Sequence, residues 1–266
     1  MMLNVVMRTC DKVSVSDGRI FPKNECVLKC LNSLVTSLEN CNRDYTLHII
    51  DDRSTEETKS EIQRIAKKSS IVMLPDRDES DLNNKQKSRY SLNVALNYIE
   101  TLPIDELVYL VEDDYLHYPN GIERMLISYE YFDRYIGDQF VGIFPQDFTE
   151  LYLHPQNRFN KTYVTPCFVI PGPDAYFRTT WFTQESFLIP VELFMKYKTH
   201  FRRLLNIGSI DGEWEGSTIS NVWTQKDVCM LMPMMKPFAI HVSRKEDIPF
   251  YNTDFDELWN NHQFKL

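Results

Sequence analysis

Residues Leu107–Pro119, LVYLVEDDYLHYP, decide the reading of the fold. Leu107 to Val111 is a compact apolar run rich in β-branched and aromatic side chains, the pattern of a buried strand. Glu112, Asp113 and Asp114 follow at once, and Pro119 closes the loop ahead of a helical pattern. A strand ending in clustered carboxylates puts hard oxygen ligands at the carboxyl edge of a sheet, where open α/β sheets bind their ligands. Such oxygens suit Mg²⁺ or Mn²⁺ holding a diphosphate, because the cation neutralises phosphate charge that the acids would repel. The competing reading is a strand that ends in a solvated acidic turn.

Working outward, the first half alternates strand and helix. Leu3–Met7 predicts a buried strand that ends at Arg8-Thr9-Cys10-Asp11, where Arg8 meets either an anion or a salt-bridge partner. Apolar residues from Val27 to Leu38 recur at helical spacing. Tyr45–Ile50 predicts a second strand, followed by Asp51-Asp52. A helix is expected from Thr55 to Lys68, capped by Ser54 or Thr55, with Glu56 and Glu57 favouring its positive end. Ile71–Leu74 predicts a third strand. The stretch Asp76–Asn84 is polar and expected to be mobile. Lys85, Lys87 and Arg89 then fall at the start of a helix running to Ile99. Cations there oppose the helix dipole and suggest a bound anion. Strand–helix alternation predicts a mixed, mostly parallel sheet flanked by helices, with acids at two strand ends.

Length and charge narrow the classes. A chain of 266 residues, 43% apolar and 13% aromatic, builds one large domain or two small ones. A net charge of −9 disfavours a general grip on nucleic acid or an anionic membrane. Six cysteines show no paired metal spacing, which points to a reducing compartment. No signal peptide is visible and no apolar run reaches ~18 residues, so a cytoplasmic protein without a membrane span is expected.

The order VVMRT, LHIIDDRSTEET, KSRYSLNVALNYI and YLVEDDYLHYP resembles the nucleotide-binding half of the GT-A nucleotide-sugar glycosyltransferases. It is most similar to family 2, the group of the spore-coat polysaccharide glycosyltransferases, and its EDD triplet resembles that of the N-acetylglucosaminyltransferase I enzymes. The resemblance covers roughly residues 3–125. It implies one Rossmann-like GT-A domain over 1–266, with a nucleotide-binding half (1–125) and an acceptor-binding half (126–266). It further implies that Arg8 and Thr9 line the nucleotide, and that Asp51 or Asp52, with Asp52 preferred, takes the base. Arg89 would contact the base or diphosphate, Asp113 the ribose or sugar, and Asp114 the metal, Mn²⁺ or Mg²⁺. Glu112 departs from many family 2 members.

Helical spacing covers Gly121–Tyr135, and Phe140–Phe144 predicts another strand. From Pro145 to Pro173 the chain turns irregular, as binding surfaces do. Ala175–Phe187 mixes aromatics with Arg178, Thr183, Gln184 and Glu185, and Val191–Leu205 is expected to be helical. Asp211-Gly212-Glu213-Trp214 is a further acidic cluster. A carboxylate there can take the acceptor hydroxyl's proton, with Glu213 the first candidate base and Asp211 the second. The rival is an acidic cap for a helix starting near Ser217. Phe238–Val242 predicts a late strand holding His241, which the resemblance makes a metal ligand and which is equally a core histidine.

Together these readings imply a metal-dependent transferase. It would move a sugar from a nucleoside diphosphate donor, UDP-sugar first, to an acceptor hydroxyl with inversion. The acceptor is a glycan, a small molecule or a modified viral DNA base. The rivals are a nucleotidyltransferase, which would carry a Gly-rich basic loop after the first strand, and a non-catalytic sugar-binding domain of GT-A type.

Overall fold

The computed structural model describes residues 1–12, 21–78, 84–147, 167–181, 183–206, 215–242 and 254–262. Its first half follows the predicted alternation. Strand β1 (Leu3–Thr9) leads to helix α1 (Lys23–Glu39), β2 (Tyr45–Asp51), α2 (Glu56–Ile65), β3 (Ser70–Met73), α3 (Asn84–Ile99) and β4 (Leu107–Glu112). The short β5 (Tyr115–His117), α4 (Gly121–Tyr135) and β6 (Phe140–Ile143) follow. The second half adds β7 (Val169–Pro171), β8 (Tyr176–Thr179), β9 (Phe187–Pro190), α5 (Val191–Lys196), α6 (Lys198–Arg203), α7 (Glu215–Trp223), β10 (Val228–Pro233), β11 (Ala239–His241) and α8 (Phe255–Asn261).

Among the described residues, nine strands form one sheet in the order β3-β2-β1-β4-β9-β6-β10-β8-β7. The pairings β3-β2, β2-β1, β1-β4 and β6-β10 are parallel. Only β9 and β8 run against the rest, so the sheet is mixed and mostly parallel. All seven residues of β1 are buried, which requires cover on both faces and suits its apolar residues Leu3, Val5, Val6 and Met7. Helix α3 packs on β1, β2 and α6, while α1 packs on β5, α2 and α4. Register levels the strand ends: Thr9 lies beside Asp51, and Arg8 lies between Ile50 and Glu112. The acids therefore share one edge because parallel strands bring their carboxyl ends together.

Helix α2 starts where its cap allows. Thr55 Oγ1 accepts from Thr58 N at 3.3 Å, and Glu56 and Glu57 sit in the first turn. The region 191–205 is not one helix. It breaks at Tyr197 into α5 and α6 and ends in a 3-10 turn, Leu204–Asn206. The 238–242 strand does not enter the main sheet. Instead β11 pairs antiparallel with β5 as a separate ribbon, with His241 opposite Tyr115. This ribbon rests on a second apolar cluster: Cys26 and Cys30 of α1, Leu116, Ile240 and Val242, and Phe255, Leu258 and Trp259 of α8. Each fully buried side chain of that size contributes roughly 1.5–3 kcal/mol, so α8 holds the ribbon on α1. At the start of α4, a Cβ on Gly121 would collide with the Phe238 carbonyl, which leads into β11. Among the described residues no helix is long and apolar enough to cross a membrane.

Candidate active site

The site lies along the carboxyl ends of β1, β2 and β4. At the end of β2, Asp51 is fully buried and its two oxygens tie the edge together. Oδ2 accepts from Thr9 Oγ1 at 2.9 Å, and Oδ1 from Ser54 N at 3.0 Å. Asp52 is gripped by cations. Its Oδ1 accepts from Arg53 Nε at 2.9 Å and from one Arg77 nitrogen at 2.8 Å, while Oδ2 accepts from the other Arg77 nitrogen at 2.9 Å. Such a two-pronged guanidinium–carboxylate pair is among the stronger hydrogen-bonded arrangements. Within the polar stretch Asp76–Asn84, whose residues 79–83 lie outside the described residues, Arg77 is anchored, because a fork-shaped cation meets a buried carboxylate at the neighbouring strand end.

At the end of β4, the three acids face different partners. Arg8 donates to Glu112 Oε1 at 3.1 Å. Burial pushes the Glu112 carboxyl up, to about 8, against the pull of Arg8, although about a third of its side chain (32%) still meets solvent. Asp113 Oδ2 accepts from Cys10 N at 2.8 Å, and Oδ1 pairs with Lys23 in the first turn of α1. Burial, helped by the neighbouring Asp114, raises the Asp113 carboxyl above its ordinary value, although Lys23 and the Cys10 amide pull against that rise. Asp113 thus joins β4, the end of β1 and α1. Asp114 Oδ2 lies 3.2 Å from His241 Nε2. The ribbon explains this meeting: His241 pairs with Tyr115, and Val242 N donates to the Asp114 carbonyl at 2.8 Å. Gln146 accepts from the His241 amide and fixes that end of the ribbon.

A carboxylate–imidazole pair suits a divalent cation that completes its shell with phosphate oxygens and water, the usual habit of Mg²⁺ and Mn²⁺ at nucleotide sites. Among the described residues no trio of His, Cys, Asp and Glu converges, and Asp114 and His241 are the two donors that meet. The donor set fits such an ion.

One polar residue of the 175–187 stretch, given no role in the sequence reading, binds the two halves. Glu185 precedes β9, is 2% exposed, and bridges two arginines: Oε2 to Arg8 at 2.5 Å, and Oε1 to Arg89. Burial alone would raise its carboxyl, but the two guanidiniums outweigh that and hold it below the ordinary value. The anion expected beside the start of α3 is, for Arg89, this internal carboxylate. Arg89 also donates to the Leu204 carbonyl at 3.3 Å. The neighbours of Glu185 are equally committed. Thr183 Oγ1 accepts from Trp223 Nε1 at 2.7 Å, Gln184 from Tyr115 Oη at 3.0 Å, and Ser186 Oγ from Glu112 N at 3.1 Å.

The structure therefore gathers Arg8, Thr9, Asp51, Asp52, Arg89, Asp113, Asp114 and His241 around one set of strand ends. Within that set Thr9 meets Asp51, Glu185 joins Arg8 to Arg89, and Asp114 meets His241. Glu213 and Asp211 lie outside the described residues. Arg77, Lys23 and Glu185 were not among the candidates. Lys23 carries a weak local signal, a cation in the first turn of an otherwise apolar helix face. Glu185 has none, since its partners are 177 and 96 residues away.

No protein-family model matches the chain, and a search of curated proteins finds no relative. Solved structures do superpose. The bifunctional glycosyltransferase WbbM, in its apo form, aligns with a TM-score of 0.53 at 13% identity, over 97% of this chain and 50% of its own. TarS from S. aureus aligns with a TM-score of 0.50 at 13% identity, over 90% of this chain and 36% of its own. This chain thus spans half the length of the first and about a third of the second. The architecture is the GT-A glycosyltransferase fold: a mixed, mostly parallel sheet between helices, with its acids at the strand ends.

Proposed function

We propose that the chain is a metal-dependent glycosyltransferase of the family 2 type, one GT-A domain acting in the cytoplasm. It would move a sugar from a nucleoside diphosphate donor, UDP-sugar first, to an acceptor hydroxyl. The observation that carries this reading is the Asp114–His241 pair, 3.2 Å apart at the carboxyl edge of a GT-A sheet. Asp114 and His241 would hold Mn²⁺ or Mg²⁺. When bound, that ion would supply Lewis-acid neutralisation of the departing diphosphate. Thr9, Asp51 and Asp52 would frame the nucleoside, Arg8 and Arg89 would stiffen the wall beside the diphosphate, and Asp113 would lie against the ribose or sugar. Glu213, or else Asp211, would take the acceptor hydroxyl's proton. The acceptor oxygen then bonds to the anomeric carbon, the bond to the diphosphate breaks, and the configuration inverts. The acceptor is a glycan, a small molecule or a modified viral DNA base.

The test is calorimetric titration of UDP with and without Mn²⁺, paired with hydrolysis of a panel of nucleotide sugars. Mn²⁺ should tighten UDP binding in the native chain but not in Asp114→Ala, and one nucleotide sugar should be slowly hydrolysed. An equal response to Mn²⁺ in both proteins would overturn the metal assignment, and absence of nucleotide binding would overturn the function.

A further inference from the structure

We infer that Gln146 is a positioning residue for the metal: by accepting the backbone N–H of His241 it sets where the imidazole meets Asp114. The inference rests on the glycosyltransferase reading and adds to it a residue that acts on the ion only through His241.

The ribbon that carries His241 is two strands of three residues, too short to hold one geometry unaided. On its β5 side, Tyr118 N donates to the Phe238 carbonyl at 3.1 Å and Val242 N to the Asp114 carbonyl at 2.8 Å. Successive amides of a strand point to opposite sides, so those of Ala239 and His241 turn away from β5. The chain just past β6 receives them. The Pro145 carbonyl accepts from Phe238 N at 2.8 Å and from Ala239 N at 3.3 Å, and the Gln146 side chain accepts from His241 N. Asp147 Oδ2 accepts from Met235 N at 2.7 Å, nearer the start of the same link. Residues 145–147 thus serve the ribbon as a third strand.

Of these bonds, the one made by Gln146 falls on the metal-facing residue itself. Gln146 is 1% exposed, so water does not compete for its oxygen. From that fixed amide the imidazole places Nε2 3.2 Å from Asp114 Oδ2. Only two side-chain torsions separate the backbone from the ring, so a backbone shift passes on to the donor atom. Metal affinity depends on such supporting bonds as well as on the ligands themselves.

UDP is titrated calorimetrically, with and without Mn²⁺, into the native chain, Gln146→Leu and Gln146→Glu. The quantity read is the gain in UDP affinity that Mn²⁺ brings. Gln146→Leu, which removes the acceptor, is expected to cut that gain about tenfold while leaving metal-free UDP affinity within about twofold. Gln146→Glu, which keeps an acceptor of the same reach, is expected to retain the gain within about threefold. Should Gln146→Leu fold poorly, Gln146→Asn serves in its place: it stays polar, withdraws the acceptor by one methylene, and is expected to lose about fivefold of the gain. A full gain in Gln146→Leu or Gln146→Asn would overturn the inference and leave the metal assignment standing. So would a loss that appears equally without Mn²⁺, since that marks general damage to the ribbon. A native chain that binds UDP with no gain from Mn²⁺ removes the metal assignment and this inference together, and one that binds no UDP removes the glycosyltransferase reading as well.

Discussion

At the end of β2, the acids are held by permanent partners: Asp51 by a hydroxyl and a backbone amide, and Asp52 by two guanidiniums. At the end of β4, Asp114 faces the imidazole of His241. Guanidiniums stay charged at any physiological pH, so an acid they hold becomes part of a wall. An imidazole can sit neutral and donate its lone pair, so the acid beside it can share an incoming cation. Two strand ends with nearly the same sequence signature thus have different chemical prospects, and what separates them is the partner across the gap.

That contrast is most open to attack at Asp114. Asp114→Ala should abolish the Mn²⁺-dependent gain in UDP affinity and lower transfer about a hundredfold or more, measured by titration and initial rates. Asp52→Ala should keep its Mn²⁺ response. Exchange of these outcomes would reverse the comparison. Next in size is Glu185→Ala, which leaves Arg8 and Arg89 without their shared carboxylate. Urea denaturation should show a loss of about 3–5 kcal/mol. Glu185→Gln, which keeps the shape, should lose less.

An effect that appears only on acidification comes from beneath the β4 end. His117 is fully buried, its Nδ1 donates to the Tyr115 carbonyl at 3.0 Å, and its Nε2 accepts from Tyr109 Oη at 2.9 Å. Burial pulls its pKa from 6.5 down to about 3. Between those values the unfolded chain binds the proton and the folded chain does not. This contribution is intact above pH 6.5 and is lost on acidification toward pH 3, by about 1.4 kcal/mol per pH unit. Stability curves across that window should be shallower by this slope in His117→Gln. Smallest is Thr55→Ala, which removes the cap of α2 and should cost about 1 kcal/mol, a fall in Tm of about 2–4 °C.

Much of the first half was readable because its signals are local. Apolar runs marked β1, β2 and β4, and acids marked where they end. Parallel pairing then did the rest, since it levels Thr9 with Asp51 and Arg8 with Glu112 without further instruction. The missing pieces are non-local. Strand β9 spans Phe187–Pro190 and enters between β4 and β6 with reversed direction, and nothing in FLIP reveals that place. The 238–242 strand was read correctly as extended, but its partner, three residues of β5, is too short to register as a strand of its own. The Arg77–Asp52 fork escaped because a polar stretch after a strand looks mobile until the carboxylate 25 residues earlier is seen beside it.

Where α4 begins, Gly121 contributes a hydrogen atom in place of a side chain, and the Phe238 carbonyl occupies the room. The ribbon that follows Phe238 ends at His241. A single methyl at position 121 would act as a shim, prising the strand outward at its root and swinging the imidazole at its tip. The reach of a would-be metal ligand is thus gauged by the smallest residue in the chain, on a helix that supplies no ligand itself.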